Sequence, residues 1–200
     1  MNQKKDIYTY QIGDSLYLNI TNKCTNDCVF CVRRNDDVYE DYELWLKKEP
    51  TPQEVIDEIG DPTRYKEIVF CGFGESTMRL DAIKEIARAI KAKGGKVRIN
   101  TNGLANLYYK RNIAPELEGL VDTVSISLNA SNAKDYDKIC KSRFGEAAFE
   151  GLKEFAKDCK PYIPKVILSV VDSIGPEEIE KCRKIAEELG VTLRVREYIS

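Results

Sequence analysis

The chain has 200 residues, of which 42% are hydrophobic, and a formal net charge of −2 with no histidine. This length suits one sizeable α/β domain, and the nearly balanced charge gives no strong sign of nucleic-acid binding. The lack of histidine excludes histidine-based triads, zinc ligands and general bases. No apolar run reaches the length of a membrane span, and the N-terminus lacks the apolar core of a signal peptide. We therefore expect a cytoplasmic protein whose residues 1–200 form a single domain.

The predicted elements begin with a short hairpin. Two alternating segments flank Gly13 and Asp14, which suit a two-residue turn. A helix is expected to start near Pro52, with Thr51 as N-cap and Glu54 completing a capping box. Strands and helices then alternate along the chain. Strands are predicted at residues 67–71, 96–100, 123–128, 165–171 and 192–196, and helices at residues 80–93, near 115–119, at 146–159 and at 176–189.

Alternation of helices with nearly continuous apolar strands predicts a parallel sheet with right-handed crossovers. About six parallel strands are too few for the eight of a closed barrel. The predicted fold class is therefore α/β, a partial, open (β/α)6 barrel with a short N-terminal β-hairpin. Such folds bind ligands at the carboxyl ends of their strands, so we expect the functional site on that rim.

Seven cysteines occur in the chain, and three of them, Cys24, Cys28 and Cys31, follow the first core strand in a C-x3-C-x2-C spacing. An odd, clustered set favours metal binding in a reducing compartment over a disulfide framework. Iron–sulfur cubanes normally take four thiolates, so three would leave one iron open. Zinc is the alternative, but it would need a fourth ligand that no histidine can supply. Cys140 is expected in a loop near the rim, where a structural role is favoured over a reactive one.

Polar residues follow the next three predicted strands. The second strand ends in the sequence C-G-F-G-E-S at residues 71–76, the third in T-N-G at residues 101–103, and the fourth carries Ser125, Ser127 and Asn129. Period-two alternation places those three side chains on one face, the barrel lumen. Gly72 and Gly74 allow close approach of backbone to a ligand, and Glu75 offers an anion to an ammonium group. Each segment alone is typical of a turn, but their placement at successive strand ends favours a binding site.

These motifs, in this order, resemble the radical S-adenosylmethionine (SAM) superfamily over nearly the whole chain. More narrowly, residues 44–51, 71–80 and 143–146 resemble the short TatD-family-associated (TatD-linked) radical SAM proteins, and one departure from the superfamily is Ser76, where many members carry proline. The resemblance implies a [4Fe-4S] cluster on Cys24, Cys28 and Cys31, with SAM chelating the open iron. The SAM-binding residues that it implies are Phe30, Gly72, Phe73, Gly74, Glu75, Thr101, Asn102, Ser127 and Asn129, with either Lys141 or Arg143 meeting the carboxylate.

The implied reaction is one-electron reduction of SAM to methionine and a 5′-deoxyadenosyl radical, which abstracts hydrogen from a substrate. Three hypotheses stay open: an enzyme for a small molecule or nucleobase, a glycyl-radical-activase-like or peptide-modifying enzyme acting on a protein, and a non-catalytic iron–sulfur electron carrier or sensor. A donor such as flavodoxin or ferredoxin is an expected partner. Arg33 and Arg34 either receive that reductant or an anionic substrate, or are simply solvated. Residues 32–50, with Tyr42, Trp45 and Leu46, are predicted to form a lid packed on the core.

Overall fold

A computed structural model describes residues 5–34, 38–39 and 42–197. The strands are β1 (Thr9–Ile12), β2 (Ser15–Leu18), β3 (Val38–Tyr39), β4 (Tyr42–Glu43), β5 (Ile68–Phe70), β6 (Val97–Thr101), β7 (Thr123–Ser127), β8 (Lys165–Val171) and β9 (Thr192–Arg196). The α-helices are α1 (Pro52–Ile59), α2 (Leu80–Ala92), α3 (Ala105–Tyr109), α4 (Ala133–Cys140), α5 (Ala147–Cys159) and α6 (Pro176–Leu189). Within the described ranges, no helix combines the length and apolarity that a membrane crossing requires.

The N-terminal hairpin and the first helix have the predicted local structure. Strands β1 and β2 pair antiparallel around Gly13, whose φ of +59° lies in the left-handed region that glycine adopts without strain. Helix α1 begins with the predicted capping box. The Thr51 side chain accepts from the Glu54 backbone N–H, and the Glu54 side chain accepts from the Thr51 backbone N–H. Both features follow from signals in the local sequence.

The main sheet has the order β1-β2-β5-β6-β7-β8-β9. Every neighbouring pair from β2 to β9 is parallel, and only β1 runs antiparallel. Among the described residues β1 and β9 lie at opposite edges and do not pair, so the sheet stays open. The predicted partial barrel is therefore confirmed, and the carboxyl ends of β2 and β5 to β9 form one rim.

The hydrophobic core lies between the sheet and the helices. Leu18, Phe70, Ile99 and Ile126 point into it from neighbouring strands, and each is 0% exposed. Because successive strand residues point to opposite faces, Ser125 and Ser127 of β7 lie on the face opposite to Val124 and Ile126. Asn129 lies beyond the end of β7, so its place on the lumen face stays a prediction.

Helix α4 was not predicted, and the expectation that Cys140 lies in a loop is wrong. Cys140 is the last residue of α4 and is 0% exposed. Only Tyr136 and Cys140 of this eight-residue helix are buried, so the apolar periodicity is too weak to reveal it. The local signal is Asn132, the N-cap residue, whose side chain accepts from the Asp135 backbone N–H at 2.9 Å.

The predicted lid is only partly as expected. Leu46 is 4% exposed and packs inward as predicted, and its neighbour Leu44 is 1% exposed. Trp45 is 46% exposed, with its ring centroid 6.4 Å from that of Phe73, so it covers the protein with only part of its surface. Strands β3 and β4 form a small two-stranded sheet in the same region. Residues 35–37 and 40–41 of the predicted lid lie outside the described residues.

Candidate iron–sulfur and cofactor site

The three clustered cysteines lie at the carboxyl end of β2, and all three are partly buried. Burial raises the pKa of Cys24 to about 12 and raises the pKa of Cys31 above its usual range. A hydrogen bond with the thiol of Cys140, together with burial, raises the pKa of Cys28. Thiols in such surroundings stay protonated unless a cation neutralises them, and a coordinated metal ion does so.

Helix α4 holds the cysteine loop, residues 24–31, from one side. The backbone N–H of Asp27 donates to the Cys140 carbonyl at 3.0 Å, and that of Val29 donates to the Ile139 carbonyl at 2.9 Å. Within the same contact, the side-chain amide of Asn26 donates to the Tyr136 hydroxyl at 3.1 Å. A helix missed by sequence analysis therefore fixes the shape of the predicted metal loop.

Two arginines brace the cysteine loop from its own C-terminal side. Arg33 donates to the Asn26 carbonyl at 3.1 Å, and Arg34 donates to the Cys28 carbonyl at 2.9 Å. Both also pair with Asp27. Sequence analysis left open whether these arginines meet a partner or solvent, and the structure gives them a third role in organising the loop.

The glycines that follow β5 allow two backbone segments to meet. A methyl group on Gly74 would collide with the Thr21 carbonyl oxygen and lie 2.6 Å from that of Lys23. One on Gly72 would collide with the side chain of Asn19, 2.9 Å from its Cγ. The segment after β5 therefore packs directly on the chain that leads into the cysteine loop. The close approach that was predicted toward a ligand serves this contact.

The carboxylate of Glu75 is turned inward and accepts four hydrogen bonds. It accepts from the Thr77 N–H at 3.1 Å, the Thr77 hydroxyl at 2.6 Å, the Thr101 hydroxyl at 2.8 Å and the Asn102 N–H at 2.7 Å. Burial raises the pKa of this carboxyl, although its hydrogen bonds favour the charged form. Ser76 follows as the first residue of a 3-10 turn, a position that proline also suits. Glu75 thus links the β5 and β6 ends of the rim.

Two asparagines face the cysteine loop and its surroundings. The Asn102 side-chain amide donates to the Thr25 hydroxyl at 2.8 Å and approaches the Cys24 sulfur at 3.9 Å. Asn129 is 4% exposed and donates to the Cys140 sulfur at 3.7 Å, while its buried Oδ1 accepts no hydrogen bond from the described residues. Its φ of +55° is one that asparagine tolerates better than most residues. An unpaired buried amide oxygen fits a ligand that donates a hydrogen bond.

The remaining predicted SAM-binding residues are spread around this centre. Phe30 is partly buried and packs against the main core, whereas Phe73 is 4% exposed and packs with Tyr10 and Leu44 in a second small cluster. Ser127 ends β7 and is partly buried. Phe30 thus lies within the cysteine loop and Asn102 contacts that loop through Thr25, whereas Asn129 contacts Cys140 beside it.

Both candidates for the SAM carboxylate lie just after α4. Lys141 is exposed and caps the helix with a φ of +44°. Arg143 is also exposed. Its backbone N–H donates to the Thr25 carbonyl at 2.9 Å, and its guanidinium lies 5.3 Å from the Phe144 ring centroid. The cation of Arg143 is thus already stacked on an aromatic ring.

These donors fit a [4Fe-4S] cluster with three protein ligands. No three cysteine or carboxylate side chains among the described residues converge on one point, as a single ion would require. A cubane binds each thiolate through a different iron, so its ligands need not converge. The sulfur of Cys24 accepts from the Asn26 N–H at 3.4 Å, and hydrogen bonds to sulfur are among the features that set cluster properties. With the unpaired oxygen of Asn129 nearby, the rim suits a cluster and a polar ligand together.

Fold and site together define an α/β partial-barrel protein with a thiol-rich loop after its first parallel strand. The chain belongs to the Radical SAM superfamily, whose family model matches residues 18–189. Members of this family use a [4Fe-4S] cluster and SAM. The comparison is independent of the geometry and reaches the same cofactors.

Among curated proteins, the chain is similar to a probable GTP 3′,8-cyclase of Methanocaldococcus jannaschii, with 29% identity over 189 residues. That match covers 92% of this chain and 59% of the relative, so the chain spans little more than half of its length. Among solved structures, it resembles Streptococcus suis SuiB bound to the precursor peptide SuiA, with a TM-score of 0.67 and 16% identity, covering 93% of this chain and 39% of that one. SuiB bound to SAM gives the same TM-score of 0.67 with 15% identity, covering 94% of this chain and 41% of that one. At these identities, the structural matches show likeness of fold.

Proposed function

We propose that this chain forms the catalytic core of a radical SAM enzyme that abstracts hydrogen from a substrate still to be identified. The observation that carries the proposal is the meeting of three thiols with the rim residues Asn102 and Asn129 at the carboxyl ends of parallel strands. Family membership supplies the cofactors, and the rim supplies the polar groups that a bound amino-acid cofactor needs. An iron–sulfur carrier or sensor would have no need for this second set of groups.

In this proposal Cys24, Cys28 and Cys31 hold the cluster, and SAM lies beside it. When bound, the two cofactors supply a 5′-deoxyadenosyl radical through one-electron reduction of SAM. The protein's share is to orient SAM and to exclude water. The buried Oδ1 of Asn129 accepts a hydrogen bond from SAM, and the exposed cations after α4 lie where one of them can approach the carboxylate.

The test is formation of 5′-deoxyadenosine by protein that has been reconstituted with iron and sulfide under anaerobic conditions, then given dithionite and SAM. The wild type should produce it, and Cys28→Ala should lose both the cluster absorbance and the product. Cys182→Ala is the control, because it also removes one free thiol but lies on α6, in the main core. An intact cluster without 5′-deoxyadenosine would contradict the enzyme proposal and favour the carrier or sensor.

The substrate class has two candidates. A small molecule or nucleobase is the first. A peptide or protein partner is the second, and it is favoured by Trp45, which is 46% exposed with its ring centroid 6.4 Å from that of rim residue Phe73. Exposed aromatic side chains are typical contact points for protein partners. Deuterium transfer into 5′-deoxyadenosine from a labelled small molecule supports the first candidate, and transfer only from a deuterated peptide supports the second.

The electron donor and the subgroup are further parts of the proposal. Val29 on the cysteine loop is 52% exposed, and Lys141 and Arg143 beside it are exposed cations. That surface suits an acidic reductant such as flavodoxin or ferredoxin, whose support of turnover should weaken as salt increases. Equal turnover with a basic and an acidic donor would contradict docking at this surface.

The narrower resemblance to TatD-linked radical SAM proteins rests on residues 44–51, 71–80 and 143–146 alone.

A further inference from the structure

The Glu75 carboxylate is buried and already accepts four hydrogen bonds within the protein. The residue is 5% exposed, and its two oxygens accept from four donors at 2.6 to 3.1 Å. Three of these donors meet at Oε1, and among the described residues the Asn102 N–H donates to Oε2, which keeps one lone-pair site. Because all four partners are N–H or O–H donors, the carboxylate acts as a charged acceptor within the protein.

One of those donors belongs to Asn102, which leads on to the cysteine loop. The Asn102 backbone donates to Glu75, while the Asn102 side chain donates to the Thr25 hydroxyl at 2.8 Å and approaches the Cys24 sulfur at 3.9 Å. The other end of that side chain is also fixed, since Oδ1 accepts from the Leu104 N–H at 3.0 Å. Asn102 is therefore held from both sides in the one orientation that reaches the loop.

The backbone of Glu75 makes a second, independent contact with the same region. Its N–H donates to the Lys23 carbonyl at 2.7 Å, one residue before Cys24. The neighbouring Gly74 packs so tightly on Thr21 and Lys23 that a methyl group would not fit. Both the main chain and the side chain of residue 75 thus act on the start of the cysteine loop.

We propose that Glu75 is a positioning residue that sets the cysteine loop through Asn102. The inference rests on the proposed function, since it assigns the residue a task in the proposed cluster site. It goes beyond the expectation drawn from the G-F-G-E resemblance, which gives the carboxylate to SAM and assigns it no task toward the cysteine loop.

The first experiment uses the protein without its cofactors, so that it does not depend on the proposed function. Hydrogen exchange is measured for the peptide that spans residues 22–31 in wild type, Glu75→Gln and Asn102→Ala. Each variant should exchange about tenfold faster in this peptide. Glu75→Gln removes the charged acceptor of the Asn102 N–H, and Asn102→Ala removes the side chain that donates to Thr25. The double variant should exchange little faster than either single variant, because both changes break one relay. Additive effects, or unchanged exchange in Glu75→Gln, would overturn the inference.

The matched control is Glu178→Gln. Glu178 also accepts from a backbone N–H on the rim side of the sheet, that of Ser131 at 2.8 Å, but it lies on α6 and forms its ion pair with Lys181 of the same helix. It should leave exchange of the 22–31 peptide unchanged. Thr101→Ser keeps the hydroxyl that donates to Glu75 and should behave as wild type, whereas Thr101→Val should behave as Glu75→Gln. A Glu75→Gln protein that fails to fold leaves the Thr101 pair to decide the matter.

The second experiment uses reconstituted protein and separates positioning from SAM binding. Glu75→Gln should lose iron to a chelator about tenfold faster than wild type and should shift the midpoint potential of the cluster, since a charge near the cluster is removed. Iron loss is the readout of positioning, and SAM binding is measured beside it on the fraction that keeps its cluster. Unchanged iron loss with SAM binding weakened more than tenfold would show that Glu75 contacts SAM. A wild type that never holds a cluster would instead refute the proposed function, while the exchange data would still stand.

Discussion

Replacing Gly74 with alanine tests whether the segment after β5 supports the cysteine loop. The new methyl group would collide with the Thr21 carbonyl oxygen and lie 2.6 Å from the Lys23 carbonyl oxygen and 2.8 Å from the Asn22 carbonyl carbon. All three neighbours are backbone atoms, so no side chain can rotate away. The two segments must separate, which weakens the adjoining Glu75 N–H to Lys23 carbonyl bond of 2.7 Å.

The expected loss of unfolding free energy is the sum of two effects. Overpacking in a tight site costs about 1–3 kcal/mol. A lost backbone hydrogen bond adds about 0.5–1.5 kcal/mol. Gly74→Ala should therefore destabilise the protein by about 2–4 kcal/mol in urea unfolding of the cofactor-free chain. The reconstituted variant should also hold less iron per chain than wild type.

Gly94→Ala is the control, because alanine is opposed there by the backbone conformation and not by close packing. Gly94 has a φ of +80°, and a methyl group added there would meet nothing within 4 Å, so only backbone strain opposes alanine. It should cost about 1 kcal/mol and leave iron content unchanged. A Gly74→Ala protein with wild-type stability and full iron loading would refute the proposed packing of the two segments.

Two further substitutions test contacts around the site. Tyr136→Phe leaves the buried Asn26 amide without its partner, so it should lower stability by about 1–3 kcal/mol and speed iron loss. Tyr109→Phe is the control: it removes the acceptor of the Leu80 N–H and should lower stability without affecting iron. Equal iron loss in both variants would contradict this prediction. Hydrogen bonds from Ser131 lower the pKa of Glu178, so that carboxylate stabilises the fold above its unfolded pKa of about 4.3 and loses this effect as pH falls through its folded pKa. Glu178→Gln should thus cost about 1 kcal/mol at neutral pH and much less near pH 3, and an equal cost at both pH values would contradict the sign.

Local sequence signals predicted much of the fold. Helix α6 begins at Pro176 and ends before Gly190, which adopts the left-handed conformation that favours glycine, and both bounds are as predicted. Strand β8 is likewise as predicted, because its apolar run is continuous. Helix α4 escaped prediction because it buries only two side chains, and this is the helix that holds the cysteine loop.

The site was predictable in its residues but not in their partners. The spacing of Cys24, Cys28 and Cys31 and their place after a strand predict a metal loop without any coordinates. The contact of Gly74 with Thr21, and the relay from Glu75 to Thr25, join segments about fifty residues apart along the chain. No local pattern encodes such pairings, so sequence reasoning assigned Glu75 to SAM, which stays a prediction, and missed its partners within the protein.

The most direct test of the central claim is the electron paramagnetic resonance spectrum of the reduced, reconstituted protein with and without SAM. A cluster held by Cys24, Cys28 and Cys31 keeps one iron without a protein ligand, as expected when a cubane takes about four ligands and the protein supplies three. We predict that SAM changes the cluster signal and that SAM carrying a nitrogen-15 amino group shows magnetic coupling to it. A cluster signal that SAM leaves unchanged, or one that persists in Cys28→Ala, would contradict the proposed cofactor site.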